Sequence, residues 1–351
     1  MQETRTNLIG LERENLEGLA IECGEPRYRG RQLFRGVYGR RELSFERFSD
    51  LPKRFREQLA RRWRIDYPDV REKHPSSDGS ARYLLSLEDG NAVEAVYMPE
   101  AARVTLCLSS QAGCAVDCRF CFTGLMNLVR NLTAGEILGQ VFAIARDQGF
   151  GSRLRLNVVF MGMGEPLLNF GPVMKAVRVL CNPDGFAIPW RRITLSTSGI
   201  IPGIRELAGE PVRPKLAVSL NASTNEQRVE IMPISRKYPL ADLIEACRAY
   251  PLRPREKLTF EYVLLGGVND SRDDALRVAV LLRGLRAKVN VIPYNSGPEL
   301  PYRAPPFERV LEFREALNER DVDSFIRVSR GQDVRAACGQ LMLKEIRQEA
   351  G

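Results

Sequence analysis

Short apolar runs alternate with amphipathic segments along most of the chain beyond residue 100. The runs are rich in β-branched residues and nearly free of charge, which is typical of buried strands in a parallel sheet. They are RVTLCLSS, NVVFMG, RITLSTS, KLAVSL, LTFEYVLL and KVNVIPYN. Helical periodicity lies between them, at residues 133–149, 171–181, 200–208, 240–250 and 272–284. About six βα units predict the α/β class, with a partial parallel (β/α)6 barrel.

The first 95 residues follow a different pattern. Helical stretches at EPRYRGRQLFRGVYGR and FSDLPKRFREQLARRW precede a hairpin pattern at ARYLLSLEDGNAVEAVYMPE. We therefore expect three parts: an N-terminal, mostly helical accessory domain over residues 1–95, the barrel over residues 96–300, and a short C-terminal extension over residues 301–351. The proline-rich stretch SGPELPYRAPP leads into that extension.

Composition narrows the class of protein. The chain has 351 residues, of which 44% are apolar and 27% charged. No apolar run reaches the roughly 20 residues that span a bilayer, and the start lacks the pattern of a signal peptide. We therefore expect a cytoplasmic protein with no membrane association. The net charge of +8 suits a polyanionic partner.

Arginines alternate with aromatic residues in the first helical stretch, RYRGRQLFRGVYGRR. Such a surface can contact phosphates and stack on unpaired bases. An amphipathic helix with a solvated arginine face explains the same pattern equally well. The residues alone leave both interpretations open.

Three of the eight cysteines, Cys114, Cys118 and Cys121, stand close together in SSQAGCAVDCRFCFTG. This stretch directly follows the first barrel strand, at the end of the barrel where enzymes of this architecture place their chemistry. A structural zinc ion usually takes four ligands, and the chain has one histidine, His74, in another region. Three thiolates suit an iron–sulfur cluster with one open iron. That site is favoured over zinc and over unrelated core thiols, while Cys23, Cys181 and Cys247 read as structural thiols of helices.

Other strands also end in polar or glycine residues, in MGMGEPLLN, TLSTSG, AVSLNAS and NVIPYN. Leu167 stands where a dinucleotide-binding fingerprint needs its third glycine, so that interpretation fails. The hydroxyl, amide and carboxylate groups of these ends suit a ribose, an adenine and an amino-acid group. Each of them alone is more typical of strand-end capping.

The stretch CAVDCRFC after a first barrel strand resembles the signature of radical S-adenosylmethionine (SAM) enzymes. In those enzymes three cysteines hold a 4Fe–4S cluster, and an electron from the cluster cleaves SAM to a 5'-deoxyadenosyl radical. With YMPEAARVTLCLSS, FMGMGEPLLN, RRITLSTSG and ACGQL, the chain closely resembles the RlmN and Cfr family of RNA adenine methyltransferases over nearly its whole length. PRYRGRQLF and LPKRFREQL resemble the RNA-binding accessory domain of that family.

The resemblance assigns the cofactor sites. It implies that Cys114, Cys118 and Cys121 bind the 4Fe–4S cluster. The matching positions for SAM are Gly164, Glu165, Ser196, Ser219, Leu220, Asn221 and Asn295. Many family members have histidine at the position of Asn221, so we expect a backbone contact or an amide substitute there. Leu128 and Val129 also depart from the family pattern, at positions expected to face the substrate.

The resemblance also implies three catalytic residues. Carbon 2 of adenine is not a nucleophile, so methylation there requires a radical route. The thiol matching Cys338 receives a methyl group from one SAM, and after a second SAM is cleaved that carbon joins the adenine. Glu94, which alone would be an ordinary strand glutamate, removes the ring proton, and its apolar neighbours would raise its pKa toward that of a useful base. Cys107, which alone would be a core thiol, attacks Cys338 and leaves a disulfide for a cytoplasmic reductant.

Within the family, GEPLLN and STSG favour methylation at carbon 2, in 23S rRNA and in tRNA, over methylation at carbon 8 as in Cfr. We expect a monomer that receives electrons from a flavodoxin-type protein. A rival from another class is a non-catalytic RNA-binding protein with a structural or redox-sensing cluster. Such a protein has no need of Cys107, Glu94 and Cys338 together.

Overall fold

The computed structural model describes residues 5–150, 155–297 and 299–341. The helices in this part of the chain are α1 (Arg13–Glu22), α2 (Arg27–Phe34), α3 (Lys53–Arg62), α4 (Ala134–Asp147), α5 (Phe170–Cys181), α6 (Ile201–Ala208), α7 (Asn225–Ile231), α8 (Leu240–Arg248), α9 (Arg272–Leu281) and α10 (Phe307–Asn318). None of these described helices is long and apolar enough to cross a membrane.

The strands are β1 (Thr6–Asn7), β2 (Trp63–Arg64), β3 (Asp69–Pro75), β4 (Ala81–Ser86), β5 (Ala92–Glu100), β6 (Arg103–Cys107), β7 (Gln111–Ala112), β8 (Arg130–Asn131), β9 (Leu156–Phe160), β10 (Ile193–Thr197), β11 (Lys215–Ser219), β12 (Leu258–Leu264), β13 (Ala287–Pro293) and β14 (Ser324–Ile326). Ten of them form one sheet in the order β14-β13-β12-β11-β10-β9-β6-β5-β4-β3. Within this sheet, every pairing on the side that runs from β6 through β9 to β14 is parallel, whereas β7 and β8 form a separate antiparallel pair. The expected α/β class with a mainly parallel sheet is confirmed.

Two pairings at the edges of the sheet were not predicted. The strand expected in the C-terminal extension, β14, pairs in parallel with β13 beside the six predicted strands. At the other edge, β3, β4 and β5 pair in antiparallel fashion and join β6. The sheet is therefore continuous through β5, the strand that contains the expected domain boundary at residue 95.

The parallel strands are less uniformly buried than their apolar sequences predict. In β9, Leu156, Val158 and Phe160 are buried, while Asn157 and Val159 are half-buried. The apolar set belongs to a single large core that includes residues of α4 and α5. Because side chains alternate between the two faces of a strand, the opposite face is free to carry polar groups. At the carboxyl ends of the strands, that face lines the candidate site.

The accessory helices α1 and α2 cross closely at Gly30. A Cβ atom added at Gly30 would lie 2.3 Å from the Cα atom of Glu17, so only glycine allows this approach. Several arginines of the basic segment are engaged within the protein. Arg27 pairs with Glu17, and Arg31 pairs with Asp184 at 2.8 Å. Contact of this segment with RNA stays a prediction.

Candidate active site

The loop after β6 brings Cys114, Cys118 and Cys121 to one cavity. A tight turn fixes its shape, because the N–H of Cys121 donates to the carbonyl oxygen of Cys118 at 3.0 Å. Gly124 packs on this turn, and a Cβ atom there would lie 2.5 Å from the Cys118 oxygen. The loop also holds the end of the chain, since the N–H of Phe122 donates to the Gly339 carbonyl at 2.7 Å.

Burial raises the pKa of all three loop thiols, that of Cys114 to about 12. In Cys118 the neighbouring thiols of Cys121 and Cys114 add to the effect of burial. A bound metal centre would supply the positive charge that stabilises the thiolates. Three cysteine thiols on one loop are a donor set that suits an iron–sulfur cluster, because such clusters are held by cysteine thiolates.

Glu165 lies in the loop after β9, and a hydrogen bond links it to Ser198, the residue that follows β10. Its carboxylate accepts hydrogen bonds from the backbone N–H of Ser198 at 2.6 Å and of Leu167 at 3.0 Å. Burial raises the pKa of Glu165, and these hydrogen bonds oppose that shift. The side-chain oxygen of Gln111 accepts the N–H of Glu165 at 2.7 Å. The carboxylate is thus held rigidly at the edge of the cavity.

Gly164 lines the same cavity, and two constraints require glycine there. Its φ is +94°, in the region that favours glycine. A Cβ atom at this position would lie 2.5 Å from the Cβ atom of Gln111. Any other residue at Gly164 would therefore have to push Gln111 away and so change the wall of the cavity.

Ser196, Ser219, Asn221 and Asn295 also line the cavity. The side-chain amide of Asn221 is already engaged, because its oxygen accepts the N–H of Val263 at 2.9 Å and its nitrogen donates to the sulfur of Met232. This favours a backbone contact over an amide contact with a ligand at Asn221.

The side-chain amide of Asn295 is likewise engaged. It donates to the hydroxyl of Ser329 at 2.9 Å and accepts from the amide of Gln332 at 3.0 Å, which joins the end of β13 to the C-terminal extension. Leu220 is fully buried and does not line the cavity. Its N–H donates to the Glu261 carbonyl, and its carbonyl accepts from Arg228.

The two remaining predicted thiols interact electrostatically. Cys338 is exposed and lines the cavity, whereas Cys107 is buried in β6 and does not line it. Burial raises the pKa of Cys107, and the neighbouring Cys338 adds to this effect. The thiol of Cys107 accepts a hydrogen bond from the backbone of Met161, which itself lines the cavity. Both cysteines carry free thiols.

Glu94 lies on β5, paired with Leu84 of β4, and is 1% exposed. The Ser109 hydroxyl donates to the Glu94 carbonyl at 2.5 Å. The side-chain carboxylate of Glu94 forms an ion pair with Arg82 on β4, a partner that the sequence analysis did not identify. Like Cys107, Glu94 does not line the cavity directly.

Sequence reasoning also missed a buried carboxylate that faces the cavity. Glu261 on β12 is 8% exposed and accepts a hydrogen bond from Asn290 at 2.9 Å. Burial raises the pKa of Glu261. The signal was present in LTFEYVLL, where one charged residue interrupts an otherwise apolar strand.

One buried hydroxyl indicates that the cavity suits a polar ligand. The hydroxyl of Tyr294 is buried and has no hydrogen-bond partner within the described chain. Tyr294 lines the cavity. Because buried polar groups are normally hydrogen bonded, this hydroxyl has capacity for a ligand such as SAM.

Known proteins are similar to this chain over almost its whole length. A family model described as the radical SAM superfamily matches residues 108–279, and one described as the ribosomal RNA large subunit methyltransferase N-terminal domain matches residues 6–65. The dual-specificity RNA methyltransferase RlmN of Anaeromyxobacter sp. (strain Fw109-5) is 48% identical over 344 residues, which cover 97% of this chain and 91% of the relative. That of Syntrophobacter fumaroxidans is 50% identical over 328 residues, with 93% and 95% covered.

The chain belongs to the RlmN family of dual-specificity RNA methyltransferases. A solved structure, that of a radical SAM methyltransferase from Sphaerobacter thermophilus, agrees with this assignment. It is 43% identical, covers 96% of this chain and 99% of its own, and has a TM-score of 0.89. As an RlmN family member, the protein is a SAM-dependent RNA methyltransferase. The resemblance predicted from the motifs is confirmed.

Proposed function

We propose that the protein methylates carbon 2 of an adenine in 23S rRNA and in tRNA. The proposal includes SAM and a 4Fe–4S cluster bound by Cys114, Cys118 and Cys121. The observation that carries it is the electrostatic interaction of the Cys107 thiol with Cys338, which lines the same cavity as those three thiols. A methyl-carrying thiol needs a second thiol beside it to release the product. The dual specificity of the RlmN relatives supports the choice of RNA substrates.

The bound cluster would supply the electron that cleaves SAM, and the protein would orient the cofactor for that step. We assign the ammonium group of SAM to the Glu165 carboxylate, which two backbone N–H groups hold in place.

Gly164 admits the cofactor close to the backbone. Ser196 and Ser219 offer hydroxyls, and Asn221 and Asn295 offer backbone groups, because their amides are engaged elsewhere. Leu220, which directly follows β11, would help to hold its neighbours Ser219 and Asn221 at the cavity rather than contact SAM with its side chain.

Cys338 is the methyl-carrying residue in this proposal. Its exposure at the cavity gives it access both to a methyl donor and to an RNA base. The methyl group would give up one hydrogen atom to the radical formed from SAM, and its carbon would then bond to the adenine while it is still attached to the Cys338 sulfur. The single electron left over when the ring proton leaves would return to the cluster. At that stage the protein and the RNA are covalently linked.

Glu94 and Cys107 complete the reaction. The Glu94 carboxylate accepts the proton that leaves carbon 2. Cys107 then loses its proton and attacks the Cys338 sulfur, so that the S–S bond forms as the S–C bond breaks. The electron pair of the S–C bond remains with the RNA, and the released carbon takes up a proton to become the methyl group. A thiol reductant converts the disulfide back to two thiols.

We also propose a flavodoxin-type electron donor, a monomeric state and a cytoplasmic location. The need for both an electron donor and a disulfide reductant supports the location, because the cytoplasm supplies reducing partners. The exposed edge of the cavity at Cys338 supports entry of RNA from that side.

Nucleoside analysis tests the proposal. The protein is reconstituted anaerobically with iron and sulfide, then incubated with SAM, a reductant and either 23S rRNA or tRNA. Mass spectrometry of the digested RNA should show 2-methyladenosine from both substrates, and none with a Cys118→Ala control. Formation of 8-methyladenosine would instead support an activity like that of Cfr. Unmodified adenosine in both RNAs would contradict the proposal.

A further inference from the structure

Arg228 on α7 is fully buried, with 0% of its surface exposed. Its guanidinium donates to the carbonyl oxygens of Ser198 at 2.5 Å, Ser219 at 2.9 Å and Leu220 at 3.0 Å, and to the hydroxyl of Ser235 at 2.7 Å. All of these acceptors are neutral. Over the described ranges, no carboxylate forms an ion pair with Arg228.

A buried cation without a counter-charge is costly, because it has lost the solvation of water. Burial lowers the pKa of Arg228 to about 10, which still leaves the side chain charged at neutral pH. The titratable groups that interact with it are the thiols of Cys118 and Cys247. The hydrogen bonds satisfy N–H groups of Arg228 but do not balance its positive charge. That charge therefore favours an anion close to Cys118.

The packing of α7 places Arg228 beside the cysteine loop. The N–H of Arg119, which follows Cys118, donates to the carbonyl of Ile231 at 2.9 Å. Phe120 and Ile231 belong to a small hydrophobic cluster against which Cys118 and Cys121 pack. Helix α7 and the loop therefore form one packed unit.

We infer that Arg228 is a positioning residue that favours the reduced form of the iron–sulfur cluster while holding the ends of β10 and β11 in place. This inference rests on the proposed cluster site. Reduction adds one negative charge to the cluster and its thiolates. A fixed positive charge in a dry environment stabilises that state more than the oxidised state, and so raises the midpoint potential.

The test compares Arg228→Gln, which removes the charge, with Arg228→Lys, which keeps it. Each holoprotein is checked for iron content and then titrated against potential without RNA, with the reduced cluster detected by electron paramagnetic resonance. At a fixed potential, the reduced-to-oxidised ratio should fall about tenfold in Arg228→Gln, which is about 59 mV for one electron. In Arg228→Lys it should stay within about threefold of the wild-type value, or about 28 mV at that same conversion.

A second pair of variants leaves Arg228 in place, and it decides the question if Arg228→Gln does not fold. Cys247 is buried on α8 beside Arg228. Cys247→Asp should neutralise the guanidinium and lower the midpoint potential, whereas Cys247→Asn, of the same shape, should leave it unchanged. Equal potentials in the Asp and Asn variants, or in Arg228→Gln and the wild type, would overturn the inference alone. A wild-type protein that binds no cluster would overturn the proposed cluster site as well.

Discussion

The buried carboxylate of Glu94 forms an ion pair with the guanidinium of Arg82 across the antiparallel strands β4 and β5. The guanidinium supplies the counter-charge that a buried carboxylate needs. Arg82 is therefore part of the immediate environment of the proposed base.

Arg82→Met should destabilise the protein, because it removes the ion-pair partner of the buried Glu94 carboxylate. Removing one member of a buried ion pair costs about 3–5 kcal/mol in the free energy of unfolding. Arg103→Met, which removes an exposed ion pair with Glu100, serves as the control and should change the stability by less than about 1 kcal/mol. Urea unfolding checks both variants, and equal stability of the two would show that the Arg82–Glu94 pair contributes nothing to the fold.

Gly164→Ala should weaken both folding and SAM binding. The added methyl group would meet Gln111 at 2.5 Å, on a backbone whose φ is +94°. We expect a loss of about 1–3 kcal/mol in the free energy of unfolding, the usual cost of such strain. Gly171→Ala is a matched control, since an added Cβ in α5 meets no atom within 4 Å. It should stabilise the helix by up to about 1 kcal/mol. Denaturant unfolding and SAM titration check both variants, and equal stability of the two would refute the close contact.

Glu261→Gln should make folding less dependent on pH. Burial raises the pKa of Glu261 above its ordinary value of 4.5, so the folded state holds this proton more tightly than the unfolded state does. The wild type therefore loses stability as pH rises from about 4.5 through the raised pKa, because the buried group must ionise. Glutamine carries no charge and can still accept the hydrogen bond from Asn290. Urea unfolding at pH 7.5 and pH 5 should show the greater relative stability of the variant at pH 7.5, and a larger advantage at pH 5 would be the contrary result.

Much of the fold was predictable because each element carries its own local signal. The strand runs and the helical periodicity of α4, α5, α8 and α9 lie close to their observed bounds. The cysteine spacing, followed by the family motifs, identified the loop that lines the cavity. Strand ends such as those at Glu165 and Ser219 meet there because parallel strands share one carboxyl edge.

What was missed depends on contacts between segments that are distant in sequence. The pairing of Arg82 with Glu94 requires the register of a hairpin, which the alternating pattern of β4 does not specify. Arg228 stands in NEQRVEI, which reads as an ordinary polar helix, and only the packing of α7 against the cysteine loop buries it. The engaged amides of Asn221 and Asn295 likewise follow from tertiary hydrogen bonds.

In the proposed reaction the two thiols have different roles, because Cys338 carries the methyl group and Cys107 releases the product. Cys107→Ala leaves Cys338 able to take up a methyl group and join it to RNA, but removes the thiol that releases the product. Cys23→Ala, at a half-buried thiol next to α1, is the control and should turn over normally.

The most direct measurement is mass spectrometry of Cys107→Ala after incubation with SAM, reductant and RNA. If Cys107 releases the product, the variant should accumulate a covalent protein–RNA adduct, attached at Cys338 and absent from the Cys338→Ala variant. Normal release of methylated RNA by Cys107→Ala, without an adduct, would show that Cys107 has no such role.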